Sequence, residues 1–309
     1  MNLQDKRIVV TGGAGFLGSY IIEKLEDRGC KRVYIPRSFE YDLRLANETR
    51  SMFERYRPDI IIHAAAHAGG IGLNQVKPAE LFYDNAMMGI NMIHYASIYE
   101  IEKFIQIGTV CAYPKYAPTP FQESSLWNGY PEDTNAPYGI AKKALLVQGQ
   151  AYKQQYGLNF IYLLPVNLYG PRDHFDLRYG HVIPVLVRRF TEAKANHVKS
   201  VTLWGTGKAS REFLYVEDAA EAVVLATERY NKSEPVNIGT GREIAIHDLA
   251  TLVAKDVGYE GEILYDASRP DGQPSRCLDV TKAFEEFGFT ASMDFNEGLR
   301  RTIAWYKNQ

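Results

Sequence analysis

The chain has 309 residues, with 35 Lys and Arg against 37 Asp and Glu and a formal net charge of −2. A compact chain of this size buries roughly 75% of its unfolded surface and needs no covalent staples, and the 46% hydrophobic and 23% charged fractions exclude a mainly disordered protein. Near-neutral charge argues against nucleic acid or a membrane surface as partner, because both require a basic excess.

In chain order, residues 6–11 read as a short apolar strand that ends at Gly12, Gly13, Gly15 and Gly18. Residues 16–28 have helical spacing, with Leu17, Ile21, Ile22 and Leu25 on one face. A strand over 32–35, a helix over 47–56 and a buried strand over 59–64 follow, then a helix over 82–99 and a strand over 104–107. A long helix over 138–156 and a strand over 159–164 complete the run. Strands alternating with helices of this length predict βαβ units, hence an α/β fold with a doubly wound parallel sheet covered on both faces. After Pro165 the rhythm breaks, and Pro171, Pro184, Pro270 and Pro274 punctuate shorter elements. The expected division is a nucleotide-binding part over 1–165 plus about 212–242, and a smaller, irregular α/β substrate-binding lobe over 166–211 and 243–309.

No apolar run approaches the roughly 18 residues of a membrane span, and the first residues lead into too short an apolar stretch for a signal peptide. Cys30, Cys111 and Cys277 are too few for a disulfide framework, so the expected location is the cytoplasm. Tyrosine is in excess, 21 against 14 Phe, and suits polar pockets and wet interfaces.

Thr11 to Gly18 reads Thr-Gly-Gly-Ala-Gly-Phe-Leu-Gly, placed between a strand and an amphipathic helix. There the chain turns sharply and brings backbone N–H groups against a pyrophosphate at a helix N-terminus, which is the Rossmann dinucleotide signature. Gly12, Gly13, Ala14, Gly15, Phe16, Leu17 and Gly18 are the expected cofactor contacts. At the end of the second strand an NAD site usually carries an acid, whereas this chain offers Arg37 and Ser38. An arginine beside a hydroxyl matches a 2′-phosphate, so NADP(H) is the expected cofactor. Glu40 and Asp42 follow closely, which leaves NAD(H) open, and Asp42 is a second candidate contact, for the adenine.

Tyr138 and Lys142 are four residues apart at the start of a predicted helix and share a face. An ammonium beside a phenol favours the phenolate, so the pair is expected to work as a proton donor, with Thr109 supplying a hydroxyl to a substrate carbonyl. The same spacing also occurs in ordinary exposed helix pairs. His63 and His67 straddle a strand and its loop with no carboxylate or thiol cluster beside them, so they read as structural or pocket-lining and no metal is expected.

These residues together resemble the extended short-chain dehydrogenase/reductases, the NAD-dependent epimerase/dehydratase family. The resemblance continues through Pro165 to Pro171, Arg211 to Asp218 and Asn237 to Gly241, and covers essentially the whole chain. Cys111, the stretch Ala64 to Ile71, His181 and the run Arg269 to Pro274 look like the GDP-L-fucose synthase branch. That resemblance implies that Cys111 and His181 invert carbons beside a ketone, and that Tyr138, Lys142 and Thr109 serve the reduction that follows. A C4 ketone acidifies the hydrogens on C3 and C5, and thiol and imidazole, with ordinary pKa values of about 8.5 and about 6.5, suit both halves of the transfer. It further implies Pro165, Asn167, Leu168, Lys142 and His181 at the cofactor, and Arg189, Trp204, Arg211 and Asp271 at the GDP-sugar. Family members commonly dimerise through a four-helix bundle, which here implies a homodimer built on residues 82–99 and 138–156, with Tyr95, Tyr99, Tyr152 and Tyr156 at the interface.

The chain departs from that branch at several positions. Gly13-Ala14 and Ser38 stand where arginines for the 2′-phosphate are usual, Thr109 stands for serine, and His67 replaces a lysine. Alternatives remain open: another GDP-4-keto-sugar such as a 6-deoxy-heptose, a nucleotide-sugar 4-epimerase, or a non-catalytic dinucleotide sensor. The sensor reading is disfavoured by the retained Thr109, Tyr138 and Lys142.

Overall fold

A computed structural model describes residues 1–309. Its first half runs β1 (Arg7–Thr11), α1 (Phe16–Asp27), β2 (Arg32–Tyr34), α2 (Ala46–Tyr56), β3 (Ile60–His63), α3 (Ile71–Val76), α4 (Pro78–Ile98), β4 (Lys103–Ile107), α5 (Ala136–Tyr156) and β5 (Phe160–Pro165). The second half runs β6 (Asn167–Tyr169), α6 (Val182–Ala195), β7 (Ser200–Trp204), β8 (Ser210–Tyr215), α7 (Val216–Arg229) and β9 (Val236–Ile238). It ends with β10 (Glu243–Ala245), α8 (Ile246–Val257), β11 (Glu262–Asp266), α9 (Thr281–Phe287) and α10 (Phe295–Lys307).

Six parallel strands in the order β2-β1-β3-β4-β5-β9 make the main sheet. Every residue of β3 and β4 is buried, as required of strands with helices on both faces. The fold is therefore Rossmann-type α/β. Its strand order reverses direction at β1 and β3, where open α/β sheets bind ligands beyond the carboxyl ends of the strands. A second core forms around Tyr169, Leu186, Phe190, Val253 and Leu299. Over it lie a three-stranded sheet, β10-β8-β6, and a parallel pair, β11-β7.

The two regions are fastened together by Glu212 of β8. Its buried carboxylate accepts from the backbone N–H of Leu278 at 2.6 Å and of Gly241 at 2.8 Å, and also from that of Thr240.

Most predicted elements stand within a few residues of their expected limits. The helix expected from residue 82 begins at Pro78, where a proline in the first turn loses no hydrogen bond. The helix expected from Tyr138 begins at Ala136 for the same reason, with Pro137 in its first turn. A further helix, α3, stands in a glycine-rich stretch that reads as loop. Tyr95 and Tyr99, expected at a subunit interface, are half-buried in the single chain, with ring centroids 6.1 and 5.3 Å from that of Phe53 on α2. The apolar side chains that α4 and α5 do expose include Phe82, Ile90, Ile98, Val147 and Tyr156. No helix is long and apolar enough to cross a membrane.

Candidate active site

The glycine turn lies at the strand-order reversal. Gly12 has φ +70°, and a Cβ there would stand 2.7 Å from the backbone nitrogen of Ala65, just beyond β3. A Cβ on Gly18 would stand 2.1 Å from the Gly12 carbonyl oxygen, so only glycine lets α1 start against the turn. No side chain caps the start of α1, which leaves its first N–H groups free to receive an anion. This cradle fits a dinucleotide pyrophosphate. On the loop after β2, Arg37 lies over the Phe39 ring at 5.7 Å. The Asp42 carboxylate is taken up by Arg44, whose Nη2 donates to it at 2.6 Å, and that cation holds its pKa below the usual range.

Beyond β4, the Thr109 hydroxyl accepts from the Cys111 N–H at 3.1 Å and caps the one-turn segment Val110–Ala112. α5 packs directly on that turn: a Cβ on Gly139 would stand 2.4 Å from the Cys111 carbonyl oxygen. Tyr138 is thereby brought beside Thr109 and Cys111. Lys142, one turn further on, is buried and donates to the Ile107 carbonyl at 3.1 Å. Burial pulls its pKa down to about 8.

The expected lowering of the phenol does not appear. Burial, with a smaller push from Cys111, raises the Tyr138 pKa, and the Thr109 hydroxyl opposes it. Desolvation dominates, and the Lys142 ammonium points to the Ile107 carbonyl instead of adding to the causes that act on the phenol.

His63 is buried at the end of β3, with Nδ1 2.7 Å from Thr11 Oγ1, and burial followed by the Lys142 charge draws its pKa down to about 3. It is a neutral structural residue. His67 Nδ1 pairs with Asp84 at 2.9 Å, on the loop that leads into α3.

One cavity of about 400 Å³ gathers most of the remaining candidates. Phe16 and Leu17 of α1, with Pro165, Asn167 and Leu168, line one part of it. Thr109, Cys111, Tyr138 and His181 line the reacting part. His181, the residue just before α6, is open to the cavity but walled by it, and desolvation, with His174 and Arg276, lowers its pKa. The loop carrying His181 is held from two directions. The Gly70 N–H donates to the Tyr179 carbonyl at 2.8 Å, and Phe175 stacks on Tyr306 with centroids 4.7 Å apart.

The far wall is cationic. Arg211 and Arg276 are both buried, and every hydrogen bond they make goes to a neutral acceptor: Ser210 and Asp271 carbonyls at 2.6 and 2.9 Å, and Gln273 Oε1 at 2.9 Å. Burial beside Arg276 draws the Arg211 pKa down to about 9, which still leaves the guanidinium charged at neutral pH. Arg189, donating to the Thr202 carbonyl at 2.9 Å, and the partly exposed Trp204 complete this wall.

Asp271 contributes differently from the expectation. Its carboxylate accepts from the Thr206 N–H at 2.7 Å and hydroxyl at 2.8 Å, and its carbonyl holds Arg211, but it does not line the cavity. Arg37 and Asp42 also lie outside it. Arg276 is a site residue that sequence reasoning passed over, although it follows the Arg269 to Pro274 run by two positions.

The fold and the site define an enzyme that binds a nicotinamide dinucleotide. The family model of the NAD dependent epimerase/dehydratase family matches residues 8–239, and the chain belongs to that family. GDP-L-fucose synthase 1 of Arabidopsis thaliana is 40% identical over 306 residues, covering 99% of this chain and 94% of its own. GDP-L-fucose synthase of Escherichia coli (strain K12) is 38% identical over 313 residues, covering 98% and 97%. Among solved structures, a GDP-6-OMe-4-keto-L-xylo-heptose reductase from C. jejuni superposes with TM-score 0.91 at 29% identity, covering 98% and 97%. A GDP-L-fucose synthetase from Naegleria fowleri bound to NADP gives TM-score 0.90 at 27% identity, covering 99% and 95%.

Proposed function

We propose that the chain inverts C3 and C5 of GDP-4-keto-6-deoxy-D-mannose and then reduces C4 with NADPH, forming GDP-L-fucose. The observation that carries this reading is the single cavity in which Cys111 and His181 face the Thr109–Tyr138 pair, with two buried arginines behind them. The sequence relatives named GDP-L-fucose synthase support it.

In this reading Arg211 and Arg276 take the diphosphate, which supplies the charged hydrogen-bond acceptor that neither has within the protein. The C4 ketone, held toward Thr109, delocalises the electron pair left when a proton is taken from C3 or C5. Cys111 and His181 remove and return protons on opposite sides of each centre, so that each carbon inverts with no net proton change. NADPH, when bound along the glycine turn, supplies hydride to C4. Tyr138 gives its proton to the resulting O4 alkoxide, and its raised pKa keeps that proton in place until the charge develops. Lys142 supports the tyrosine from beneath.

Residues 1–165 and about 212–242 form the cofactor part in this reading, and 166–211 with 243–309 the substrate lobe. The exposed apolar side chains of α4 and α5 pair with a second copy to give a homodimer, and the enzyme works in the cytoplasm. A sugar with one further carbon is the second reading, favoured by the likeness to the heptose reductase.

Protein mixed with NADPH and GDP-4-keto-6-deoxy-mannose should consume the reduced nicotinamide absorbance. No consumption, under conditions in which a known fucose synthase turns over, overturns the reading. Solvent deuterium should enter C3 and C5, and Cys111→Ser should abolish that entry.

A further inference from the structure

Residues 132–135 lead into α5 and carry polar groups used by no step above. Glu132 is 5% exposed, and its hydrogen bonds come from uncharged donors. Its Oε2 accepts from the Thr134 hydroxyl at 2.5 Å, the Asn135 backbone N–H at 3.3 Å and the Asn135 side-chain nitrogen at 2.7 Å. An oxygen that collects three donors acts as an acceptor, so the carboxamide must turn its nitrogen toward it. That fixes the other end of the amide. Asn135 Oδ1 faces Cys111 Sγ at 3.9 Å.

A carbonyl oxygen in that place receives an S–H and offers nothing to a sulfide anion. The other titratable groups around the sulfur are Tyr138 and Arg211, with His181 across the same cavity. Within this ring only the Asn135 oxygen stands at hydrogen-bond distance from the sulfur.

We infer that Glu132 and Asn135 are positioning residues: through a carboxylate–carboxamide–thiol chain they hold Cys111 as a hydrogen-bond donor in the resting enzyme. The thiol thereby keeps a fixed direction until substrate enters. The inference rests on the proposed role of Cys111 for its catalytic consequence, while the chain itself is read out by thiol reactivity alone.

Glu132→Gln lets the neighbouring amide turn over and present Nδ2 to the sulfur, which stabilises the thiolate. At roughly pH 6.5, well below the ordinary thiol range, the rate follows the small thiolate fraction, and alkylation of Cys111 by iodoacetamide, resolved by peptide mass, should rise about three- to tenfold. Asn135→Asp places a carboxylate opposite the sulfur and should slow the same reaction about tenfold. Cys30 and Cys277 serve as internal references, because partial unfolding would accelerate all three together. If Glu132→Gln unfolds by that criterion, the Asn135→Asp arm decides.

Rates at Cys111 that stay within twofold of the parent, or that move in the same direction in both variants, overturn the inference. Opposite shifts combined with undiminished deuterium entry in Cys111→Ser would uphold the positioning chain and overturn the proposed function instead.

Discussion

Arg276→Met separates ligand binding from folding, because the two should move in opposite directions. In the free protein Arg276 is 5% exposed, stands beside the buried Arg211 and bonds only Gln273 Oε1 at 2.9 Å. A desolvated cation without a carboxylate is a cost to the fold, and replacing such a group by an apolar one of similar length is neutral or stabilising by about 1–4 kcal/mol. Loss of the bond to Gln273 offsets about 1 kcal/mol of that gain. Stability should therefore hold within about 1 kcal/mol or rise by up to about 3 kcal/mol in urea unfolding. The diphosphate loses one charge-assisted partner, worth about 1.5–3 kcal/mol. KM for the nucleotide sugar should then rise about 10- to 150-fold, with the Kd of NADPH unchanged. Lower stability with an unaltered KM would refute the assignment of the cationic wall to the diphosphate.

Further predictions follow from the same geometry. Tyr138→Phe should cut NADPH oxidation by about 10²- to 10⁴-fold while deuterium still enters C3 and C5; loss of both would place Tyr138 in the inversions. His63 is held neutral by burial, so its folded pKa lies below the ordinary one and its contribution to stability is present above pH 6.5 and lost as pH falls toward about 3. Between pH 6.5 and roughly pH 5 the parent should lose about 2 kcal/mol on this account; in His63→Gln that part of the slope should vanish, and an unchanged slope in urea titrations would refute it. Light scattering should report a dimer, and Ile98→Glu, on the exposed face of α4, should shift it to monomer.

What could be read from the sequence was whatever depended on local order. The glycine turn, the strand–helix alternation and the Tyr138–Lys142 spacing are each set within a few residues. α3 was hidden because its neighbouring glycines answer to a distant segment: a Cβ on Gly70 would stand 2.3 Å from the Gly180 carbonyl oxygen, and one on Gly72 2.3 Å from that of Arg178. The pairing of Arg211 with Arg276 is likewise made by the fold across 65 positions, so spacing gives no sign of it. The raised Tyr138 pKa escaped for a different reason. Helical spacing sets the lysine one turn away, but the phenol responds chiefly to burial, and burial is a property of the packed molecule. The packing of Tyr95 and Tyr99 beside Phe53 joins α4 to α2, and spacing along α4 alone gives no sign of it.

The carboxylate of Glu212 bears on how such a protein can change. Its oxygens gather donors from residues 240, 241 and 278, so one side chain pins the strand β8, the turn beyond β9 and the segment before α9. Cutting the chain into an exchangeable half would strand that charge among vacated N–H groups, at a cost of about 3–5 kcal/mol. A changed sugar preference is therefore expected from edits to the short segments that line the cavity, around residues 69–72 and 180–183 and at Arg276, rather than from replacing a module.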